Sequence, residues 1–405
     1  MTKECKILLP RVIYGNRGDI LSRWGLINGL TSIGIENIHV FAHRSEDLPF
    51  QVRKNFHPYG KFHNLLLSKD SRMAIKNADR ILWSCGLDMT DESSQAKLLY
   101  LLFVFSHYRM RKKEVQCVFQ GLGPIKTKTG KILSTQILHR VSKFIARDEN
   151  SYQLIHRLNP STHRVLAGDA IFMPGFEKQI EENANPMVVN KYLPPHERPV
   201  IAVNMRRWFH FSSDLIPFQL AKKRYENRGQ EEMQQLVTIY VDLVRKLREQ
   251  YDARILLVSA YNPGVFSWEN DLPWLEKVKV AFSDDSEILL LNEDLDMMDY
   301  CSLMSKVDMA ISMRLHSSLT VLRFGNPAIN ISYSTKGIDV FRTLGLGDHA
   351  FDIKTIMQNP GLMWDMVMES MNNLKEEKKR VSQGVNTVMT NNLDVLRSLF
   401  SGTHE

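Results

Sequence analysis

The feature that most constrains this chain is an alternation, kept up over most of its length, between short apolar runs and stretches of helical periodicity. Apolar runs bounded by polar or glycine-bearing turns read as buried parallel strands, and the helical stretches between them supply the crossovers that parallel strands require. In the first third the runs fall at 6–10, 38–42, 80–84, 115–120, 143–146 and 164–166. A second series falls at 200–204, 254–259, 278–282, 309–313 and 328–331, with helices expected over 230–250, 295–306 and 317–324. Between the two series, 174–199 is rich in Glu, Asn and Pro without a sustained period, as in an interdomain linker. The expected fold is α/β, with two Rossmann-like domains facing across a cleft. The boundaries read as 1–174, a linker at 175–198, 199–360, and a helical tail at 361–405 that returns across both domains.

A length of 405 residues suits two such domains better than one. With 43% hydrophobic and 24% charged residues the chain can bury large cores. Its net charge of +7 fits an anionic partner, and fits mere solubility equally well. Cys5, Cys85, Cys117 and Cys301 are widely spaced and form no C-x-x-C pair, which argues against a zinc knuckle and fits a reducing compartment. The longest apolar run, 98–105, is far shorter than the ~18 residues that span a bilayer. Residues 1–6 lead into a strand without a leader pattern, so a cytoplasmic location is expected. The zincin, nucleophile-elbow and P-loop motifs do not occur, and the basic residues read as dispersed rather than interleaved with aromatics. No metal, no cofactor and no nucleic acid is therefore expected.

Open α/β sheets bind ligands outside the carboxyl ends of their strands, so chemistry is sought where apolar runs end. In Met313-Arg314-Leu315-His316, Arg314 and His316 are two residues apart and point to one side while the backbone is extended. Ser317 and Ser318 then open a helix whose N–H groups can face an anion. Together they suit a phosphate or carboxylate. A buried arginine paired with an aspartate, beside a structural histidine, satisfies the same pattern. Val203-Asn204-Met205-Arg206-Arg207-Trp208 repeats the logic, with one arginine expected in the cleft and Trp208 as a stacking wall; a solvated basic turn is the alternative. Lys336, after a serine-rich turn, reads as a phosphate contact or as a surface lysine.

In the first domain, Gly15-Asn16-Arg17-Gly18-Asp19 is not G-x-G-x-x-G, and Asp19 at a helix start would oppose a bound pyrophosphate. A nicotinamide cofactor is thereby disfavoured. Asp19 suits sugar hydroxyls or a base role, and suits a helix N-cap as well. Arg147-Asp148-Glu149-Asn150-Ser151 reads as a capping turn with Asp148 or Ser151 at the helix start.

Taken together, these segments resemble the polysaccharide pyruvyl transferase family. The matching stretches are Gly15-Asn16-Arg17-Gly18-Asp19-Ile20, Gln120-Gly121-Leu122-Gly123-Pro124, Ala146-Arg147-Asp148-Glu149-Asn150-Ser151 and Val203-Asn204-Met205-Arg206. They continue with Met313 to Ser318, then Gly325, Pro327, Ile331, Tyr333 and Lys336, and Leu344-Gly345-Leu346. The Arg-Leu-His segment and its downstream run are the most specific. The chain departs from the pattern at Ser84-Cys85-Gly86-Leu87-Asp88, where the family tends to carry more glycines, and at Arg207, often proline.

The resemblance implies a GT-B-like fold and transfer of a pyruvyl group from phosphoenolpyruvate onto two hydroxyls of one sugar, giving a cyclic ketal and phosphate. It implies donor contacts from Arg206, Arg314, Ser317 and Lys336, an acid role for His316, and an orienting or base role for Asp19. Asn16, Gly18, Asp19 and Arg147 would face the acceptor. That acceptor is a saccharide, lipid-linked in one alternative, for which peripheral association with the inner membrane face is the matching expectation; the oligomeric state stays open. A GT-B glycosyltransferase using a nucleotide sugar, with Asp285 or Glu287 gripping the ribose, is the competing reading. A non-catalytic glycan- or anion-binding protein is the third.

Overall fold

A computed structural model describes residues 5–13, 15–58, 68–92, 94–195, 197–208, 229–261 and 270–401. Its strands sort into two wholly parallel sheets. The first contains β1 (Ile7–Ile13), β2 (Ile38–Ala42), β3 (Phe56–Pro58), β4 (Arg80–Met89), β5 (Val115–Leu122), β6 (Lys143–Ala146) and β7 (His163–Leu166), in the order β3-β2-β1-β4-β5-β6-β7. The second contains β8 (Val200–Asn204), β9 (Arg254–Val258), β10 (Ile288–Leu291), β11 (Met309–Ser312), β12 (Ala328–Ser332) and β13 (Ala350–Asp352), in the order β10-β9-β8-β11-β12-β13. Central strands such as β5 and β8 are buried at every residue because helices cover both faces, which is why apolar residues dominate them, β8 up to its last residue, Asn204, and β5 with Gln116 and Gln120 as its buried polar members. Strand order reverses between β1 and β4 in one sheet and between β8 and β11 in the other. Those are the switch points at which such sheets open a crevice beyond their carboxyl ends.

Some expectations need correction. Residues 278–282 are not a strand; the helix Leu272–Val280 ends there, with Leu275 and Val278 buried three residues apart, one face of a helix. The neighbouring strand is β10, which pairs with β9 from Ile288↔Ile255 onward. The edge strands β3 and β13, of three residues each, were too short to show a pattern. Asp19 does not cap its helix: Asn16 is the N-cap of Arg17–Ser32 and accepts from the Gly18 amide, leaving Asp19 in the first turn. Between the sheets, 175–198 carries two short helices, Phe176–Asn183 and Pro186–Tyr192.

The tail forms helices Gly361–Asn372 and Leu374–Phe400, and the second one touches both halves. Lys378 and Arg380 pair with Asp308 and Asp348 of the second domain. Farther along, the buried Asn392 accepts from the Gly168 amide at 2.8 Å and donates to the Asp169 carbonyl at 3.0 Å. One side chain thereby satisfies two buried backbone groups of the first domain.

Candidate functional site

On the second domain the site grows from Asn204, the last residue of β8. Its Nδ2 donates to the Val258 carbonyl at 2.7 Å and to Asp271 at 3.2 Å, while its Oδ1 accepts from the Arg314 amide at 3.0 Å. The ends of β8, β9 and β11 are thus tied to one buried amide. Asp271, wholly buried, takes Nε of Arg314 at 3.1 Å and its Nη2 at 2.7 Å, a bidentate pair. Burial opposes the charge on Arg314, but the Asp271 carboxylate outweighs it and holds the guanidinium protonated. The buried arginine–aspartate arrangement that the sequence left open is the one present.

On the first domain the centre is Asp169, just past β7. Ser22 Oγ donates to it at 2.7 Å, Arg147 Nη1 at 3.0 Å, and His316 Nε2 lies 3.4 Å away across the domain junction. Burial would raise the Asp169 carboxyl, but His316 first and then Arg147 and Ser22 hold it well below the usual range. It is therefore an anion that can orient and support an imidazolium. Arg147, for its part, is committed to Asp169 and to Asp148, 3.9 Å from its Nε. Asp148 caps the helix Glu149–Leu158 by accepting from the Ser151 amide, as its sequence position indicated.

The two halves meet at the start of the helix Arg17–Ser32. The Arg17 amide donates to the Ala260 carbonyl at 2.9 Å, and its guanidinium donates to the Ser259 and Glu293 carbonyls at 3.1 Å. Gly18 is the point of closest approach: a Cβ there would lie 1.9 Å from His316 Cβ. Only glycine lets the imidazole enter beside Asp169. Ser317, two residues into the helix Leu315–Arg323, is buried with its hydroxyl hydrogen-bonded to the Tyr300 phenol, itself pushed up to about 12 by burial against the opposing pull of Arg17.

Two cations stand apart from these networks. Arg206, 5% exposed, lies 4.2 Å over the Tyr333 ring and donates through Nε to the Arg207 carbonyl; among the described residues it meets no carboxylate. Lys336, 8% exposed, has a buried Nζ without a hydrogen-bond partner among the described residues. Burial, reinforced by Arg147 and opposed by Glu92 and Asp148, brings its pKa down to about 7. It is not a surface lysine.

The structure thus brings His316, Asp19, Arg147, Arg206, Arg314 and Lys336 to facing strand ends, while Asn16, Gly18 and Ser317 serve the helix starts that hold them. Sequence reasoning missed Asp271 and gave no role to Asp169, Ser22 or Arg17. Asp271 had a signal, an Asp two residues before Pro273 at a helix start. Asp285 and Glu287 precede β10, at the opposite end from the cleft, and pair with Arg248 and Arg254. The ribose grip proposed for a nucleotide sugar is not where such a ligand would sit.

Two facing Rossmann-like domains with a returning C-terminal helix define the GT-B architecture, and solved structures agree. The chain superposes with a TM-score of 0.60 on a putative UDP-N-acetylglucosamine 2-epimerase from Listeria monocytogenes, covering 98% of this chain and 97% of that one at 12% identity. It reaches 0.59 with a UDP-GlcNAc 2-epimerase from Neisseria meningitidis (11% identity, 98% and 100% covered) and 0.57 with the trehalose-6-phosphate synthase OtsA (9%, 98% and 97%). At such identities the likeness is one of fold. A sequence profile of the polysaccharide pyruvyl transferases matches residues 16–335, and the chain belongs to that family. It is also 21% identical over 300 residues to the amylovoran biosynthesis protein AmsJ of Erwinia amylovora, covering 72% of this chain and 66% of that protein's length.

Proposed function

We propose that this transferase moves the pyruvyl group of phosphoenolpyruvate onto two hydroxyls of one saccharide unit, forming a cyclic ketal and releasing phosphate. One observation carries the reading: Arg206 and Lys336 are buried basic groups at the cleft to which no carboxylate among the described residues is hydrogen-bonded, Lys336 feeling Glu92 and Asp148 only at longer range. A buried charge without a counter-charge is costly, and an anionic ligand removes the cost. Phosphoenolpyruvate brings two anionic groups at a separation that two cations can share. Arg314, held by Asp271, and the helix start it caps complete the donor side.

His316, oriented by ionised Asp169, delivers a proton to the methylene carbon of the enol. The adjoining carbon, now oxocarbenium-like, takes the first sugar hydroxyl, whose proton passes toward Asp19 and the His316 pair. The C–O bond to phosphate then breaks, and the second hydroxyl closes the ketal. Of the two hydroxyl protons, one replaces that given to the methyl group and the other leaves with phosphate. Arg206 and Lys336 hold the phosphate as charge gathers on it.

Phosphoenolpyruvate should raise the melting temperature and UDP-N-acetylglucosamine should not; the opposite result refutes the proposal. With a saccharide acceptor in D2O, one deuterium should enter the ketal methyl for each phosphate released. His316→Ala should keep the donor-induced shift and lose turnover, and full phosphate release by that variant removes the acid role.

A further inference from the structure

The net charge of the chain is not spread evenly. Segment 95–140 contains nine lysines and arginines against one acid, Glu114, a local net of +8 beside +7 for all 405 residues. The dispersal read from the whole sequence conceals this excess. The segment builds the helices Gln95–Met110 and Lys128–Leu138, which cover one face of the first sheet. Their inner faces supply core side chains such as Leu98, Leu101, Phe105, Leu133 and Ile137.

Their outer faces are unusual in the opposite sense. Leu99 (52% exposed), Phe103 (51%), Met110 (73%) and Ile132 (64%) point outward, four of the nine strongly exposed large apolar side chains among the described residues. Leu99, Phe103 and Met110 recur at 4 and 7 residues, one stripe of a helix. The two helices are held side by side by Arg140 Nε on Ser106 Oγ at 2.7 Å and by Arg109 Nη1 on the His139 carbonyl at 3.0 Å. Around the stripe stand Arg109, Arg111, Lys112 and Lys131, all exposed and none within ion-pair distance of a carboxylate among the described residues.

Isolated exposed apolar residues need no explanation, but a stripe of them flanked at its C-terminal end and on the neighbouring helix by cations without a carboxylate partner among the described residues has the form of a helix lying in a membrane interface. We infer that the outer face of these two helices docks on an anionic phospholipid surface, apolar side chains at the acyl boundary and cations on the headgroups. Charge complementarity selects this occupant. A nucleic acid would meet the cations but not Leu99, Met110 and Ile132, which offer no stacking surface. Among the described residues no helix is long and apolar enough to cross a membrane, so the contact is one of a face lying on the bilayer. The helix Gln95–Met110 starts at the cleft, where Lys97 lies within electrostatic reach of Lys336. A docked acceptor domain would therefore open its cleft near the bilayer.

The test is flotation of the full chain with vesicles of phosphatidylcholine alone and of phosphatidylcholine with phosphatidylglycerol, without phosphoenolpyruvate, so that its outcome is independent of the donor assignment. Binding should favour the anionic vesicles by about tenfold or more and weaken as salt rises and the ~10 Å Debye length shrinks. The triple variants Leu99→Ser/Phe103→Ser/Met110→Ser and Arg111→Glu/Lys112→Glu/Lys131→Glu should each lose about tenfold, with unchanged melting temperature and unchanged phosphoenolpyruvate-induced shift. Equal binding to neutral vesicles, no binding, or wild-type binding by both variants overturns the inference. So does tighter binding to duplex DNA than to anionic vesicles, or lipid-free self-association that the serine variant abolishes.

Discussion

Replacing Lys336 by methionine should make the ligand-free chain more stable at acidic and neutral pH, with a gain that disappears in alkali. The amine is buried without a hydrogen-bond partner among the described residues, and burial, aided by Arg147, lowers its pKa to about 7. Unfolded, the same amine titrates near ~10.4. The folded value is the lower one, which sets the sign. Below about pH 7 both states carry the proton, and the folded state bears the full cost of burying it. Between about 7 and ~10.4 the unfolded chain binds more protons, so stability climbs with pH; above that range the cost is gone. A gap of roughly three units corresponds to on the order of 4 kcal/mol. Methionine keeps the stem's length and apolar contacts. Urea unfolding should therefore show Lys336→Met ahead by ~2–5 kcal/mol near pH 6 and level with wild type near ~10.5. Binding gives a second readout. Near pH 8 the free lysine is mostly neutral, so phosphoenolpyruvate should draw about one proton onto it, measured by calorimetry in buffers of different ionisation heat; near pH 6 uptake should approach zero. Parallel stability profiles for the two proteins, or no proton uptake near pH 8, would refute the reasoning.

Other perturbations follow from the same geometry. Asp271→Asn keeps the shape but leaves Arg314 without its counter-charge in a buried place, so urea unfolding should show a loss of ~3–5 kcal/mol, and a loss below about 1 kcal/mol would deny the pair its structural role. Gly18→Ala places a Cβ 1.9 Å from His316 Cβ, so turnover should fall at least about tenfold while far-UV dichroism stays native; wild-type phosphate release would show that the imidazole needs no such fit. Asn392→Ala leaves the Gly168 amide and the Asp169 carbonyl unpaired, at ~2–4 kcal/mol by denaturant unfolding, with hydrogen exchange rising in the C-terminal helix.

The architecture was legible because its signals are local. A strand buried on both faces must be largely apolar: β2 has one polar residue, His39, β6 one at its start, Lys143, and β8 one at its end, Asn204, and the ends of all three coincide with the apolar runs. Failures came where a local pattern fits two structures. Val278 and its neighbours are apolar whether they lie in a strand or on the inner face of a helix, and only Pro273 at the helix start separates the two. Strands β3 and β13 owe their conformation to pairing with β2 and β12 rather than to any sequence period of their own. Likewise, the helices at 176–183 and 186–192 are only two turns long, too short for a period to emerge from a Glu- and Pro-rich stretch.

Side-chain partnership is a different matter, because it joins residues far apart in the chain. Sequence position marks the cations at strand ends, yet says nothing of which ones already have an anion. Arg314 looks like the strongest ligand-binding arginine by motif, and the family resemblance turns Arg147 toward the acceptor, but Asp271, 43 residues from Arg314, and Asp169, 22 residues from Arg147, are their partners. Arg206 and Lys336 look weaker, since a basic turn and a surface lysine explain them equally well. Burial without a hydrogen-bonded carboxylate among the described residues reverses that order, because an already paired cation gains less from an added anion than an unpaired one does. If the reversal is right, donor affinity should fall most for Arg206→Met and Lys336→Met. Asp271→Leu combined with Arg314→Met, which removes a buried pair whole, should cost less affinity than either while restoring the stability lost in Asp271→Asn. Isothermal titration with phosphoenolpyruvate on the three proteins decides it, and a double variant that binds more weakly than both single variants returns Arg314 to first place.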